Sequence, residues 1–154
     1  MIDKPLVINS TRLTTAIVPI TVPRSEIGRV MGPGIEELYA AIQAQGLNPT
    51  GPWFSHHHRM RPELFEFDIS VPVDGVIVPV GRVQPAELPE ATVLRTVYRG
   101  PYEGLGQAWG EFRAWSRAND YVVAENLWEV YLAGPDTSAD PADWCTELNM
   151  PLIT

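Results

Sequence analysis

One strand is written twice in this sequence, and that constrains the fold more than anything else in it. The stretch Trp144-Cys-Thr-Glu-Leu-Asn-Met-Pro-Leu152 alternates apolar and polar residues with the period of two expected of a strand. Trp144, Thr146, Leu148 and Met150 therefore share one face, and Cys145, Glu147 and Asn149 the other. Phe65-Glu-Phe-Asp-Ile-Ser-Val-Pro-Val73 repeats the pattern 79 positions earlier, so that superposing Pro72 on Pro151 sets Phe67 on Thr146, Ile69 on Leu148 and Asp68 on Glu147. A chain of this kind folds as one module used twice. Each copy carries a carboxylate on the face turned away from its apolar packing.

The flanking segments keep the same order in both halves. Residues 1–10 read as a loose lead-in, broken by Asp3-Lys-Pro5, and residues 11–22, rich in Val, Ile and Thr, read as a strand. A helix is expected after Gly32-Pro-Gly34, with Ile35, Leu38, Tyr39 and Ile42 on one stripe and Gly46 as its stop. Strands follow at 53–58 and 64–73, with a loop at 59–63 between them. Asp74-Gly75 turns the chain into a further strand at 76–83, and 84–90, with two prolines, reads as a connector. In the second half a strand at Ala91–Arg99 leads to Gly100-Pro101, which echoes Gly32-Pro33. A helix from about 102 to 117 carries Leu105, Trp109, Phe112 and Trp115, and strands are expected at 126–133 and 144–152. Each copy reads β-α-β-β. The expectation is a single α+β domain over 1–154, with repeats at about 11–75 and 76–154. Both helices would pack on one face of a mainly antiparallel sheet, with a pseudo-two-fold ligand groove on the other.

Composition narrows the function classes. The apolar fraction of 45% against 19% charged residues is that of a globular chain with a packed core. Eleven Lys and Arg against 19 Asp and Glu, a net charge of −8, disfavour nucleic-acid binding, which needs a basic patch to neutralise phosphates. The lone Cys145 has no disulfide partner, no secretory leader precedes Ile17, and no apolar run reaches the roughly 20 residues needed to cross a bilayer. A cytoplasmic protein without membrane contact is expected. Its oligomeric state is not readable.

Candidate site residues come from the strand pattern. Glu147, with Asp68 as its counterpart, would bind a cation or hold a proton if set among aromatic rings. In Trp128-Glu-Val-Tyr-Leu132, Trp128, Val130 and Leu132 are expected against the helices, leaving Glu129 and Tyr131 on the face of Glu147. Phe54 matches Trp128, and His57 matches Tyr131 as a second groove donor. Trp53 and Trp144, at strand starts, are expected as groove walls that stack on planar ligands. Trp109 and Trp115 read first as core by helical spacing, and Trp109 and Asn149 join the expected ligand contacts. No metal is expected at His56-His57-His58, because adjacent strand residues face opposite sides and no Cys or second His group completes a set. Cys145 has no neighbour in sequence that would activate it, and the Gly-Pro turns lack the length and lysine of a phosphate loop.

Arg99-Gly-Pro-Tyr-Glu-Gly-Leu-Gly-Gln-Ala-Trp109, the strand Trp128-Glu-Val-Tyr131 and Asp140-Pro-Ala-Asp-Trp-Cys-Thr-Glu-Leu148 together resemble the GyrI-like proteins, the effector-binding domain attached to some AraC-type and MerR-type multidrug regulators. The resemblance covers nearly the whole chain and is stronger in the second half. It implies paired βαββ units with a central groove for hydrophobic, often cationic aromatic compounds. It further implies a buried glutamate that falls on Glu147 and a tyrosine that falls on Tyr131. At His57 this chain departs from the more tyrosine-like pattern of the family. Some stand-alone relatives are hydrolases that open the strained cyclopropane of DNA-alkylating antibiotics, giving self-protection. Nothing in the chain resembles a helix-turn-helix. Three functions follow as expectations: a binder that sequesters aromatic compounds in drug or toxin protection; a cofactor-independent cyclopropane hydrolase using Glu147 with Tyr131 or His57; and, from the family name alone, an inhibitor of a larger enzyme.

Overall fold

The computed structural model describes residues 2–59 and 61–153; Met60, inside the loop expected at 59–63, lies outside the described residues. The fold is α+β, as expected, with eight strands and two α-helices. In chain order these are β1 (Leu6–Ser10), β2 (Leu13–Pro23), α1 (Ile27–Ala44), β3 (Phe54–His57), β4 (Leu64–Pro72), β5 (Gln84–Leu88), β6 (Ala91–Arg99), α2 (Leu105–Ala118), β7 (Leu127–Ala133) and β8 (Cys145–Pro151). They form two compact units, one of Thr11–Glu90 and the other of Met1–Ser10 with Ala91–Thr154. No helix among the described residues is long and apolar enough to cross a membrane.

In the Thr11–Glu90 unit the strand order is β3-β4-β2-β5, all antiparallel. Leu38, Ala41 and Ile42 of α1 pack on Val18 and Ile20 of β2 and on Phe67, Ile69 and Val71 of β4. In the other unit the order is β1-β6-β8-β7, again antiparallel, and Ala108 and Phe112 of α2 pack on Leu94, Tyr98, Leu148 and Met150. Phe112, Leu94 and Leu148 are fully buried, and a large apolar side chain removed from water in this way stabilises by about 1.5–3 kcal/mol.

Four segments differ from the expectation. Residues 6–10 are not a loose lead-in but the edge strand β1. Residues 76–83 form no strand, and the expected connector at 84–90 holds β5 instead, with Pro85 opposite Ala16. β5 is an edge, where the missing N–H of a proline leaves no ladder bond unmade. Finally, α1 starts at Ile27, so Gly32-Pro33-Gly34 lies inside it. Gly34 is there because α1 passes close to β4: a Cβ on it would lie 2.6 Å from Ile69 Cδ1. The true echo of Pro101 is therefore Pro23. Each is the N-cap of a single 3-10 turn, Arg24–Glu26 or Tyr102–Gly104, that leads into the helix.

The two leading strands are exchanged. β1 precedes β2 by a two-residue turn but pairs with β6, while β5 precedes β6 in the same way but pairs with β2. Each unit is thus closed by a strand whose next neighbour along the chain belongs to the other unit.

Tyr98 at the end of β6 shapes the turn into α2. Its hydroxyl donates to Pro101 O at 2.8 Å, Gly100 takes φ +138°, and a Cβ at Gly104 would run into the Tyr98 hydroxyl. Gly104→Ala is expected to lower the unfolding free energy by about 1–3 kcal/mol in a urea titration, because the buried ring must shift to make room. Gly106→Ala, which meets nothing within 4 Å, is the control and is expected to be neutral or mildly stabilising.

Candidate functional site

β7 places Glu129 and Tyr131 on its α2 side. The register fixes this: Glu129 lies opposite Leu148 and Tyr131 opposite Thr146, and Leu148 belongs to the core beneath α2. Trp109, on the first turns of α2, donates its indole N–H to Glu129 Oε2 at 2.6 Å, and Tyr131 donates its hydroxyl to Glu129 Oε1 at 2.7 Å. Tyr102 adds an edge-on contact to Tyr131, with centroids 6.0 Å apart, and a tilted contact to Trp144 at 4.9 Å. Trp144 is held in turn by its N–H to Ser138 O, and Gly134 gives the Tyr102 hydroxyl room, since a Cβ there would lie 2.5 Å from it.

The result is a carboxylate under aromatic rings. Glu129 keeps a small exposed area, yet the surrounding protein desolvates it, and that burial pushes its carboxyl above the ordinary carboxylate range. The hydrogen bonds from Tyr131 and Trp109 pull the other way and are outweighed. Burial also pushes the Tyr102 hydroxyl up, assisted by the negative charges of Asp136 and Glu129. Among the described residues no basic side chain pairs with Glu129. Thr146, fully buried on the same face, has a hydroxyl with no partner among the described residues.

The structure separates the expected site residues into four places. Tyr131, Trp109 and Trp144 come together around Glu129. Glu147 and Asn149 lie on the opposite face of β8, because Glu147 pairs with Val97 and Val130 in register. There Arg95 Nε sits 3.2 Å from Glu147 Oε1 and donates to Asn149 Oδ1 at 2.7 Å, while Asn149 Nδ2 donates to Glu147 at 3.1 Å. Glu147 and Tyr131 therefore do not share a face, and Trp128, expected against α2, points the same way as Asn149. In the Thr11–Glu90 unit, Asp68 faces His56 in register and bonds His58 Nε2 at 2.9 Å. His57 faces the α1 side instead. It stacks on Phe67 at 4.8 Å, and burial, reinforced by the charges of its neighbours, lowers it to about 4. Trp53 packs against the core of the same unit.

Glu129 was expected on the face of Glu147 and not beneath these rings, because alternation alone does not say which face of β7 is the inner one. The signal that finds it is a glutamate between Trp128 and Tyr131 with Trp109 on the adjoining helix.

A four-stranded antiparallel sheet backed by one helix is thus used twice, with an acid beneath aromatic rings in one copy. The chain matches the GyrI-like small molecule binding domain over residues 18–153 and belongs to that family. Among solved structures it is similar to the EcmrR C-terminal domain, with a TM-score of 0.86 at 20% identity over 98% of each chain. It spans 57% of the EcmrR chain in that protein's complex with DNA. It is also similar to SAV2435 bound to tetraphenylphosphonium, with a TM-score of 0.73 at 12% identity over 98% of this chain and 94% of that one. A hydrolase from Listeria innocua gives a TM-score of 0.67 at 14% identity over 97% of this chain and 92% of that one. At these identities the likeness concerns the fold. No curated protein matches the chain significantly by sequence.

Proposed function

We propose that this protein binds hydrophobic planar or cationic aromatic small molecules at Glu129, and that it protects against drugs or toxins by sequestering them. The observation that carries this reading is a desolvated carboxylate held by two aromatic donors and paired with no basic side chain among the described residues. A buried anion is costly until an opposite charge arrives, so an arriving cation recovers Coulomb energy that water would screen. The half-exposed rings of Tyr102, Trp109 and Trp144 supply stacking and cation–π contact to a flat or aryl ligand. SAV2435, of the same fold, binds a cation of this kind.

Titration of tryptophan fluorescence with tetraphenylphosphonium and with tetraphenylborate, an anion of nearly the same shape, tests the reading. Saturable quenching by the cation at a concentration at least about tenfold below that needed for the anion is expected. Equal affinity for both would show that charge is not recognised.

A second reading rests on the 2.7 Å bond from Tyr131 to Glu129. A carboxylate whose proton affinity is raised can take a proton from water while the hydroxyl attacks a cyclopropane carbon. The C–C bonding pair then moves into a conjugated carbonyl, whose oxygen Tyr131 protonates while taking back the proton that Glu129 drew from water. The product is the substrate plus one water. Incubation with a cyclopropane-containing alkylator, followed by mass spectrometry, distinguishes turnover to that product from binding without change.

A further inference from the structure

We propose that His56, His58 and Asp68 form a binding site for a divalent transition metal, zinc being the ion best matched by the donors. His56 and His58 are two apart on β3 and its continuation, so their rings fall on one side, with centroids 4.9 Å apart. β4 brings Asp68 directly opposite His56. Each of the three residues offers one ligand atom, and these atoms all lie within 4.8 Å of one another. Cross-strand pairing thus supplies the third donor that the histidine run lacks by itself.

The donor set is two imidazoles and one carboxylate, which suits zinc and its neighbours better than calcium or magnesium, which prefer oxygen. Zinc–ligand bonds of about 2.0–2.2 Å in tetrahedral geometry put donors roughly 3.3 Å apart. His58 Nε2 and Asp68 Oδ2, 2.9 Å apart, already meet that spacing to within a few tenths of an ångström. A metal would take the place of the proton they share. The remaining closure falls to the imidazoles, and the His58 side chain, 46% exposed, has room to turn.

All three residues line a cleft of about 180 Å3, which Phe54, Ile17 and Leu88 wall with apolar surface. With three protein donors, the fourth position would open onto this cleft and take water or a small oxyanion. The net charge of −8 favours cation capture. The site lies in the Thr11–Glu90 unit and shares no residue with the Glu129 cluster.

The test uses the full chain, stripped of metal by chelator and titrated with cobalt(II), whose visible absorption reports imidazole coordination, and then with zinc in competition. One ion per chain, displacement of cobalt by zinc, and a rise in melting temperature with zinc are expected. His56→Gln and Asp68→Asn should each weaken cobalt binding by at least about tenfold, since even groups one layer outside a metal's ligands have effects of that size. Should either variant fail to fold, His58→Gln decides the question, because its side chain is half-exposed and its loss leaves the core intact. Variants that bind as the wild type does, or a stoichiometry of one ion per two chains, would overturn the assignment.

Discussion

Replacing Glu129 by Gln is expected to weaken tetraphenylphosphonium binding by about 30- to 150-fold, the loss of about 2–3 kcal/mol that follows when a desolvated charge is withdrawn from its partner. The amide keeps the shape, its oxygen can still accept from Trp109, and its NH2 can donate to the Tyr131 hydroxyl once that rotates, so what is chiefly removed is the charge. Glu147→Gln is expected to change the affinity by less than about threefold, because Arg95 already offsets that carboxylate on the other face of β8. If the two substitutions behave alike, or Glu147→Gln has the larger effect, the carboxylate has been misplaced. Isothermal titration of both variants settles the matter.

The same residue carries a pH signature. Burial raises the Glu129 carboxyl in the folded state above its unfolded value. The protonated form is thus favoured by folding, and the stability it contributes is present below the ordinary carboxylate range and lost as pH rises through the raised folded value. Ligand-free wild type should therefore gain stability relative to Glu129→Gln as pH falls through that window. Cation binding should weaken over the same window, as the carboxylate takes up a proton. Melting curves and titrations across pH give the two opposed trends.

His57→Phe is expected to remove most of an acid-induced loss of stability in the Thr11–Glu90 unit. The folded imidazole is lowered from 6.5 to about 4 by burial first and by the charges of His56, Arg24 and His58 after it. A depressed value means that the neutral ring is the one the fold accepts. Its contribution is fully present above pH 6.5 and lost as pH falls through about 4, some 3 kcal/mol over the interval. Phenylalanine retains the stack on Phe67, does not titrate, and eliminates a buried Nδ1 that has no partner among the described residues. Chemical denaturation at pH 7 and pH 4 should show wild type losing about 3 kcal/mol more than the variant. Equal losses would mean that the His57 ring takes up its proton without cost to the fold.

The legible parts of the fold were those set by local chemistry. β6 at Ala91–Arg99 coincides with its expected range, and β4, β7, β8 and α2 lie close to theirs, because β-branched runs, alternation and helical spacing are local signals. The exchange of edge strands was not legible, since a five-residue strand such as Leu6–Ser10 takes its meaning from a partner far along the chain. Pro85 and the Gly32-Pro33-Gly34 run were misleading for a related reason. A proline is tolerated at an edge and a glycine is required by the close approach of Ile69, and both conditions are tertiary.

The candidate site shows the same limit more sharply. Period two divides β7 into two faces but does not label them. Trp128, the larger apolar residue, drew the core assignment, while Glu129 and Tyr131 hold the α2 side. Trp128 and Asn149 are nevertheless almost fully buried, at 3% and 0% exposure, so both faces of the strand are covered and amphipathicity has nothing to choose between. Tyr131, Trp109 and Trp144 could be singled out by type, but the residue that unites them required the register.

The exchanged edge strands also fix an order of events during synthesis. β1 leaves the ribosome ahead of β2, yet its partner β6 begins 81 residues after Ser10, the residue that pairs with Ala91. β2, by contrast, meets β4 and then β5 before any of β6 exists. The Thr11–Glu90 unit can therefore close while β1 is still unpaired. β1 becomes a paired strand only once β6 has been made.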